Sequence, residues 1–305
     1  MSAGTITTGD WLEQMEKTLF KNFTAGLEEQ TEWKKAFIEV KSEKRREEML
    51  EYALPGPVVK TPEGAPYQRL QTEKVRLASV VHDDFTGEER ISHQMKREMM
   101  YDDLEKKSWG LAESVQRKLN EDAASLIFNG FGATMSPDGA AWFGSHNLAK
   151  APGKSYSNLI TGAFGSDALN DIEVNLLQTR NERNGLCPMG NGKNLRVFVP
   201  PKLRRRAQQF AMKGQYEAGK SDFDVNVFDY DPICLPFLAN APDEYVNTQY
   251  YACDPAHMNT YFFLREGPLF KMYIDEDTDD IVIKVRIAYS FLVASWRGWV
   301  GSKGA

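Results

Sequence analysis

Cysteine is scarce in this chain: three in 305 residues, Cys187, Cys234 and Cys253, with no Cys-x-x-Cys pair among them. That excludes a disulfide framework and reads as a reduced, intracellular protein. Histidine is nearly as scarce (His82, His93, His146 and His257), and only Cys253 and His257 stand four apart, with no second pair to complete a zinc set. No metal is therefore expected. No apolar run approaches the roughly 18 residues of a membrane span, and the N-terminus lacks a charged-then-apolar leader. The expectation is a soluble protein made in a cytoplasm. A basic excess is also missing: 37 Lys and Arg stand against 43 Asp and Glu, a net charge of −6. That excludes a chain-wide footprint for nucleic acid, although a local basic patch stays open. There is no Gly-x-Ser-x-Gly elbow, and no His or Asp is placed near a candidate nucleophile. No catalytic residue and no cofactor are assigned.

What is present is extended structure of unusual length. From Ile281 to Val293 every odd position is β-branched or aromatic, namely Ile281, Ile283, Val285, Ile287, Tyr289, Phe291 and Val293. Period-two alternation puts these side chains on one sheet face. Such a strand spans roughly 40 Å, beyond the usual 3 to 10 residues or so. The run Trp296-Arg297-Gly298-Trp299 closes it. A helix of similar reach is predicted over Asp103–Asn129, with Asp102 as N-cap, Glu105 at capping-box spacing and Asn129-Gly130 as the stop.

The remaining elements are mixed. Residues 8–50 read as helical, with Trp11, Met15, Leu19 and Phe23 forming a narrow apolar stripe and a charge run from Lys41 to Glu51. That run is either a solvated helix face or an arm that packs on a neighbour. Residues 54–66 hold Pro55, Gly56, Pro57, Pro62, Gly64 and Pro66, which forbids regular structure. Extended stretches flank them, Tyr67–Val81 and about Arg90–Met99, so the segment reads as a projecting excursion that makes sense only against another subunit. Ser166 is expected to cap a second helix that runs through Arg180 and Arg183 to Gly185. Leu195–Val199 reads as a buried strand, Leu203–Met212 as a short basic helix, and Leu269–Ile274 as a strand. The acidic turn Asp275–Asp280 leads from it into the long strand, and it lacks the Gly and terminal Glu of an EF-hand. Without strict βαβ alternation the class is α+β.

Two motifs bear on chemistry. Gly214-Gln-Tyr-Glu-Ala-Gly-Lys220-Ser221 matches the phosphate-binding pattern GxxxxGK[ST]. A working loop follows a buried strand and opens a helix. Here a helix precedes it and Asp222–Phe228 alternates like a strand, so a flexible loop is the reading, with a P-loop NTPase using Gly214–Ser221 as the alternative function. Lys202 and Arg204, Arg205 and Arg206 form the strongest basic cluster, either a solvated helix end or a patch facing phosphate or a subunit.

The order of these elements, with Tyr101-Asp102-Asp103, Asn129-Gly130-Phe131, Asp138-Gly139, Trp142-Phe143, the run Asn194–Pro201 and the end Asp279–Ser302, resembles the major capsid proteins of tailed bacteriophages with the HK97-type fold, in particular the Mu-like head subunits. The likeness covers about residues 50–302. It implies a major capsid protein that self-assembles into hexamers and pentamers of an icosahedral shell around double-stranded DNA, in a virion assembled in the host bacterial cytoplasm. It implies an N-terminal arm (1–51), an extended loop (52–98), a peripheral domain (99–165 and 267–305) and an axial domain (166–266). The chain itself is the main partner; scaffolding, portal and decoration proteins and the packaged DNA are further ones, without sequence-specific contact or membrane. Candidate inter-subunit residues are Pro62, Glu63, Gly64 and Pro66 at the tip of the excursion, and Arg204, Arg205 and Arg206. The Lys–Asn crosslink of some family members maps to no pair here.

Overall fold

The computed structural model describes residues 8–27, 31–92, 94, 101–190, 194–211, 230–242 and 244–304, with only the helical backbone for 8–14 and 101–104. The long strand lies where its alternation puts it: β12, Ile281–Val293, 13 residues. It is central in a four-stranded sheet of order β1-β11-β12-β4, between β11 (Thr260–Ile274) and β4 (Asp83–Ile91), with β1 (Ile38–Lys41) outermost. Helix α2, Tyr101–Phe128, lies along this sheet. At 1.5 Å per residue its 28 residues reach about 42 Å, close to the roughly 43 Å of β12. Ile281, Ile283, Val285, Ile287, Tyr289 and Val293 share one buried cluster with Leu111, Val115, Leu119 and Ile127 of the helix. The Tyr289 hydroxyl donates to Asp122 Oδ2 at 2.7 Å, fixing the register between strand and helix.

Helix α1, Thr8–Leu27, packs on α2 through Met15, Leu19 and Phe23, the expected stripe; the Trp11 side chain lies outside the described residues. The expected helix over residues 8–50 stops there. A 3-10 turn at Glu32–Ala36 leads into β1, and the charge run becomes strand β2, Arg46–Ala53. Its burial alternates, with Glu47, Met49, Glu51 and Ala53 facing inward. The acids that looked solvated on a helix face partners on the body, which decides the strand.

Strand β2 pairs antiparallel with β3, Glu73–Val81, in a two-stranded hairpin. Its root sits on the far face of the main sheet, where Ala78 packs with Phe263, Leu292 and Ala294 and with the partly buried Met49 and Val80. One end of β12 is thereby covered on both faces. The extended stretch expected at Arg90–Met99 is instead the end of β4, which runs along β12 from Asp83 to Ile91; 95–100 lie outside the described residues.

A five-stranded sheet of order β7-β13-β10-β8-β9 forms the other half, from Leu159–Ile160, Trp299–Ser302, Tyr250–Cys253, Leu195–Val199 and Tyr230–Cys234. Helices α3 (Ser166–Leu177) and α4 (Arg204–Ala211) cover one face through Leu169, Ile172, Leu176, Ala207 and Phe210. Alternate residues Phe198, Tyr251 and Trp299 face Trp142 and Phe143 in the main core. Two short strands, β5 (Ser145–Asn147) and β6 (Ser155–Ser157), form a separate ribbon. Helix α3 ends at Leu177 rather than Gly185, because Met189 and Cys187 turn back to bond the Leu176 and Thr179 carbonyls and Asn181 holds the amides of Arg183 and Gly185. The stretch expected to begin at Leu269 is continuous with Tyr261–Phe263 in β11, its register shifting between Glu266 and Leu269, where Pro268 has no N–H to give.

Two glycines are fixed by space. Gly130 ends α2 without a left-handed turn; a Cβ there would lie 2.6 Å from the Phe143 ring. Gly298 has φ +80°, and a Cβ would meet the His257 carbonyl oxygen at 2.4 Å. Replacing Gly298 with Ala is expected to cost more than about 1 kcal/mol, read as a fall in urea midpoint at unchanged slope.

Candidate assembly surfaces

The hairpin carries most of the unpartnered apolar surface. Among the described residues, nine of seventeen exposed large apolar side chains fall between Arg46 and Val81, including Val58 at 85% exposure and Tyr67 at 96%. Scattered exposed apolar residues are ordinary; a concentration on one projection marks a contact surface. Pro62, Glu63, Gly64 and Pro66 are all exposed at the tip, between the ends of β2 and β3. Gly64 has φ +80°, and the turn is closed by the Ala65 amide on the Pro62 carbonyl at 3.2 Å.

A ring of four charges, Glu182 and Arg297 buried and Glu51 and Arg76 largely so, holds the hairpin root. Arg76 on β3 reaches Glu182 Oε1 at 2.6 Å and Glu51 Oε2 at 3.2 Å. Arg297, just after β12, bonds the same two carboxylates, with Glu182 at 2.7 Å. Spare donors and acceptors are used as well: Arg76 donates to the Asn147 carbonyl, Arg297 to the Arg180 carbonyl, Ser295 to Glu51, and the Ala149 amide to Glu182. Burial pushes the Glu182 carboxyl up, but the Ala149 N–H and the guanidinium groups of Arg297 and Arg76 outweigh it and hold it below the usual range. Farther out, Glu73 pairs with Lys150 and Arg183, and Arg183 Nε donates to the Leu54 carbonyl at 3.1 Å.

A second buried polar site stands where the chain enters and leaves the hairpin. His82 Nδ1 lies 2.9 Å from Ser290 Oγ on β12, and Nε2 lies 3.1 Å from Ser42 Oγ at the end of β1. Ser42 Oγ is also 2.6 Å from Glu47 Oε1. Burial holds the His82 imidazole below its usual pKa.

Arg204, Arg205 and Arg206 lie on a separate element, exposed in the first turn of α4. The Arg206 guanidinium sits 5.9 Å over the Phe210 ring, and Arg204 lines a cleft of about 400 Å³ with Glu32, Lys35 and Cys234. The hairpin tip and these arginines are thus two sites. Gly214–Ser221 lies outside the described residues, but the preceding element, Arg204–Ala211, is a helix, contrary to what a phosphate loop needs. Among the described residues no group of three or more His, Cys, Asp or Glu could hold a metal ion.

None of Glu51, Arg76, Glu182, Arg297, His82, Ser42 and Ser290 stood out as a site residue in the sequence. Where two of these seven pair with each other they lie 40 to 246 residues apart, except Arg76 and Glu51, at 25. The Trp-Arg-Gly-Trp run around Arg297 was the only local signal.

A spine helix along a long central strand, with a latched hairpin presenting apolar residues outward, is the architecture of a shell-building subunit. The chain belongs to the phage capsid protein family, whose model matches residues 79–302. Its function is that of a capsid protein, the subunit of an icosahedral shell. Among solved structures the chain is similar to the mature capsid of bacteriophage PhiM1, with a TM-score of 0.57 at 9% identity over 88% of this chain and 85% of that one. It is also similar to the capsid of a native GTA particle, with a TM-score of 0.55 at 13% identity over 90% and 91%. A virus-like particle from Pyrococcus furiosus gives 0.51 at 10% over 95% and 98%. At such identities these likenesses concern the fold, which is the HK97-like capsid fold. No curated protein matches the chain.

Proposed function

We propose that the chain is the major head subunit of a tailed bacteriophage, of the Mu-like branch, forming hexamers and pentamers of a shell that encloses double-stranded DNA. The observation that carries this is the latched hairpin: it exposes Val58, Val59 and Tyr67, which nothing among the described residues covers. A neighbouring copy supplies that cover. Residues 1–51 act as the N-terminal arm, 52–98 as the extended loop that makes the inter-subunit contact, 99–165 and 267–305 as the peripheral domain, and 166–266 as the axial domain. Arg204, Arg205 and Arg206 face a neighbouring subunit or DNA phosphate. Scaffolding, portal and decoration proteins are further partners, and assembly takes place in the host cytoplasm. The subunit carries no catalytic residue.

Purified chain examined by sedimentation and electron microscopy is expected to give closed shells or capsomers, with a scaffolding partner added if required. A monomer at high concentration under both conditions would refute the reading. Equilibrium binding of ATP·Mg²⁺ separates the NTPase alternative: no binding is expected, and Lys220→Ala is expected to change nothing.

A further inference from the structure

The hairpin joins the body through only two chain crossings, residues 42–45 and His82. The His82 side chain lies between them and the central strand, with both ring nitrogens engaged. Hydrogen bonding fixes its protonation pattern. Ser42 has one hydroxyl proton, and the shorter contact, to the Glu47 carboxylate, takes it. Ser42 Oγ therefore accepts from His82 Nε2–H, and His82 Nδ1 accepts from the Ser290 hydroxyl. A second ring proton would point Nδ1–H at the Ser290 hydroxyl and deprive that hydroxyl of its acceptor in a buried site.

We propose that His82 is an acid-sensitive hinge pin: neutral, it seats the hairpin on the main sheet; protonated, it releases the hairpin while the body stays folded. The proposal concerns the same hairpin that the assembly reading uses, but it is tested on the unassembled chain, so failure of one leaves the other standing. The charged groups facing the ring are Glu47 on β2 and Asp83 on β4, which favour the charged form, and Arg265 on β11, which opposes it. Burial is the largest influence and also opposes it. The sign follows: the folded state binds the proton less readily than the unfolded chain, so the seat is full above the free-histidine pKa of about 6.5 and weakens as pH falls below it. Protonation removes only the His82 contribution: the apolar root around Ala78 and Phe263 and the ring around Arg76 still hold the hairpin, so release means more frequent opening of the hairpin.

The test is amide hydrogen exchange of the purified chain, read by mass spectrometry and corrected for intrinsic rate. Between about pH 7.5 and about pH 5, protection of β2 and β3 is expected to fall by up to about tenfold, with β11 and β12 little changed. His82→Gln keeps one donor and one acceptor and cannot titrate; it is expected to abolish the acid response. Glu47→Gln removes the carboxylate that favours the charged ring and is expected to move the midpoint to lower pH. An equal acid response in His82→Gln, loss of protection spread evenly over the body, or an unmoved midpoint in Glu47→Gln would each overturn the proposal.

Discussion

Replacing Arg297 with Ala is expected to destabilise the isolated subunit by about 3–5 kcal/mol, the usual cost of breaking a buried ion pair from one side. The Arg297, Arg76, Glu51 and Glu182 side chains are 2 to 12% exposed, so water cannot take over the lost bonds. Removal strips Glu182 and Glu51 of one guanidinium each and frees the Arg180 carbonyl, leaving Arg76 to serve both acids. Urea unfolding of the subunit gives the value. The surface pair Arg183–Glu73 supplies the control: Arg183 is a third exposed, and Arg183→Ala should cost less than about 1 kcal/mol. Equal costs at the two positions would mean that the buried ring has no special weight.

The same ring gives the subunit an acid limit. Glu182 is held below the ordinary carboxylate value of 4.5, so its stabilisation is full above that pH and is lost as pH falls through the depressed value. In Arg297→Ala one lowering influence is gone while burial still pushes the other way, so acid unfolding should begin at higher pH than in the parent.

How much of this was legible follows from the range of the interactions. The 13 residues of β12 and the helix beneath them were readable because period-two and helical spacing are local, and each element has one face that must be buried. The charges of Lys41–Glu51 suit an exposed helix; Arg76, Arg297 and Ser295, 25 to 246 residues away, turn Glu51 inward, and Ser42 holds Glu47 across a turn that no helical spacing shows. Arg180 and Arg183 suit a helix dipole and so extend the expected second helix too far, whereas the structure uses the Arg180 carbonyl and the Arg183 side chain to hold Arg297 and the hairpin. The tip residues were legible from Pro and Gly alone, whereas the latch, built from four distant segments, was not.

Deleting Pro62–Pro66 is expected to leave the subunit folded and to disable the shell. In the isolated chain residues 54–72 are almost wholly exposed, and one hydrogen bond, Ala65 to Pro62, is lost with the turn. Shortening that loop by about a quarter changes its closure entropy by about 0.3 kcal/mol, so the urea midpoint should barely move. Assembly stands differently. Full burial of a Val or a large aromatic side chain contributes about 1.5–3 kcal/mol, and Val58, Val59 and Tyr67 stand exposed on the loop that carries this turn. Losing even half of one such burial per contact is worth up to about tenfold in the association constant, and a closed shell repeats the loss at every subunit. Tyr67→Ala isolates the side chain from the turn: it should leave subunit stability within about 0.5 kcal/mol while raising the concentration needed for shells. Sedimentation of both variants decides the matter. Unfolding on the deletion would mean that the tip belongs to the subunit's own fold, and shells formed at parental concentrations would mean that the contact between copies lies elsewhere on the surface.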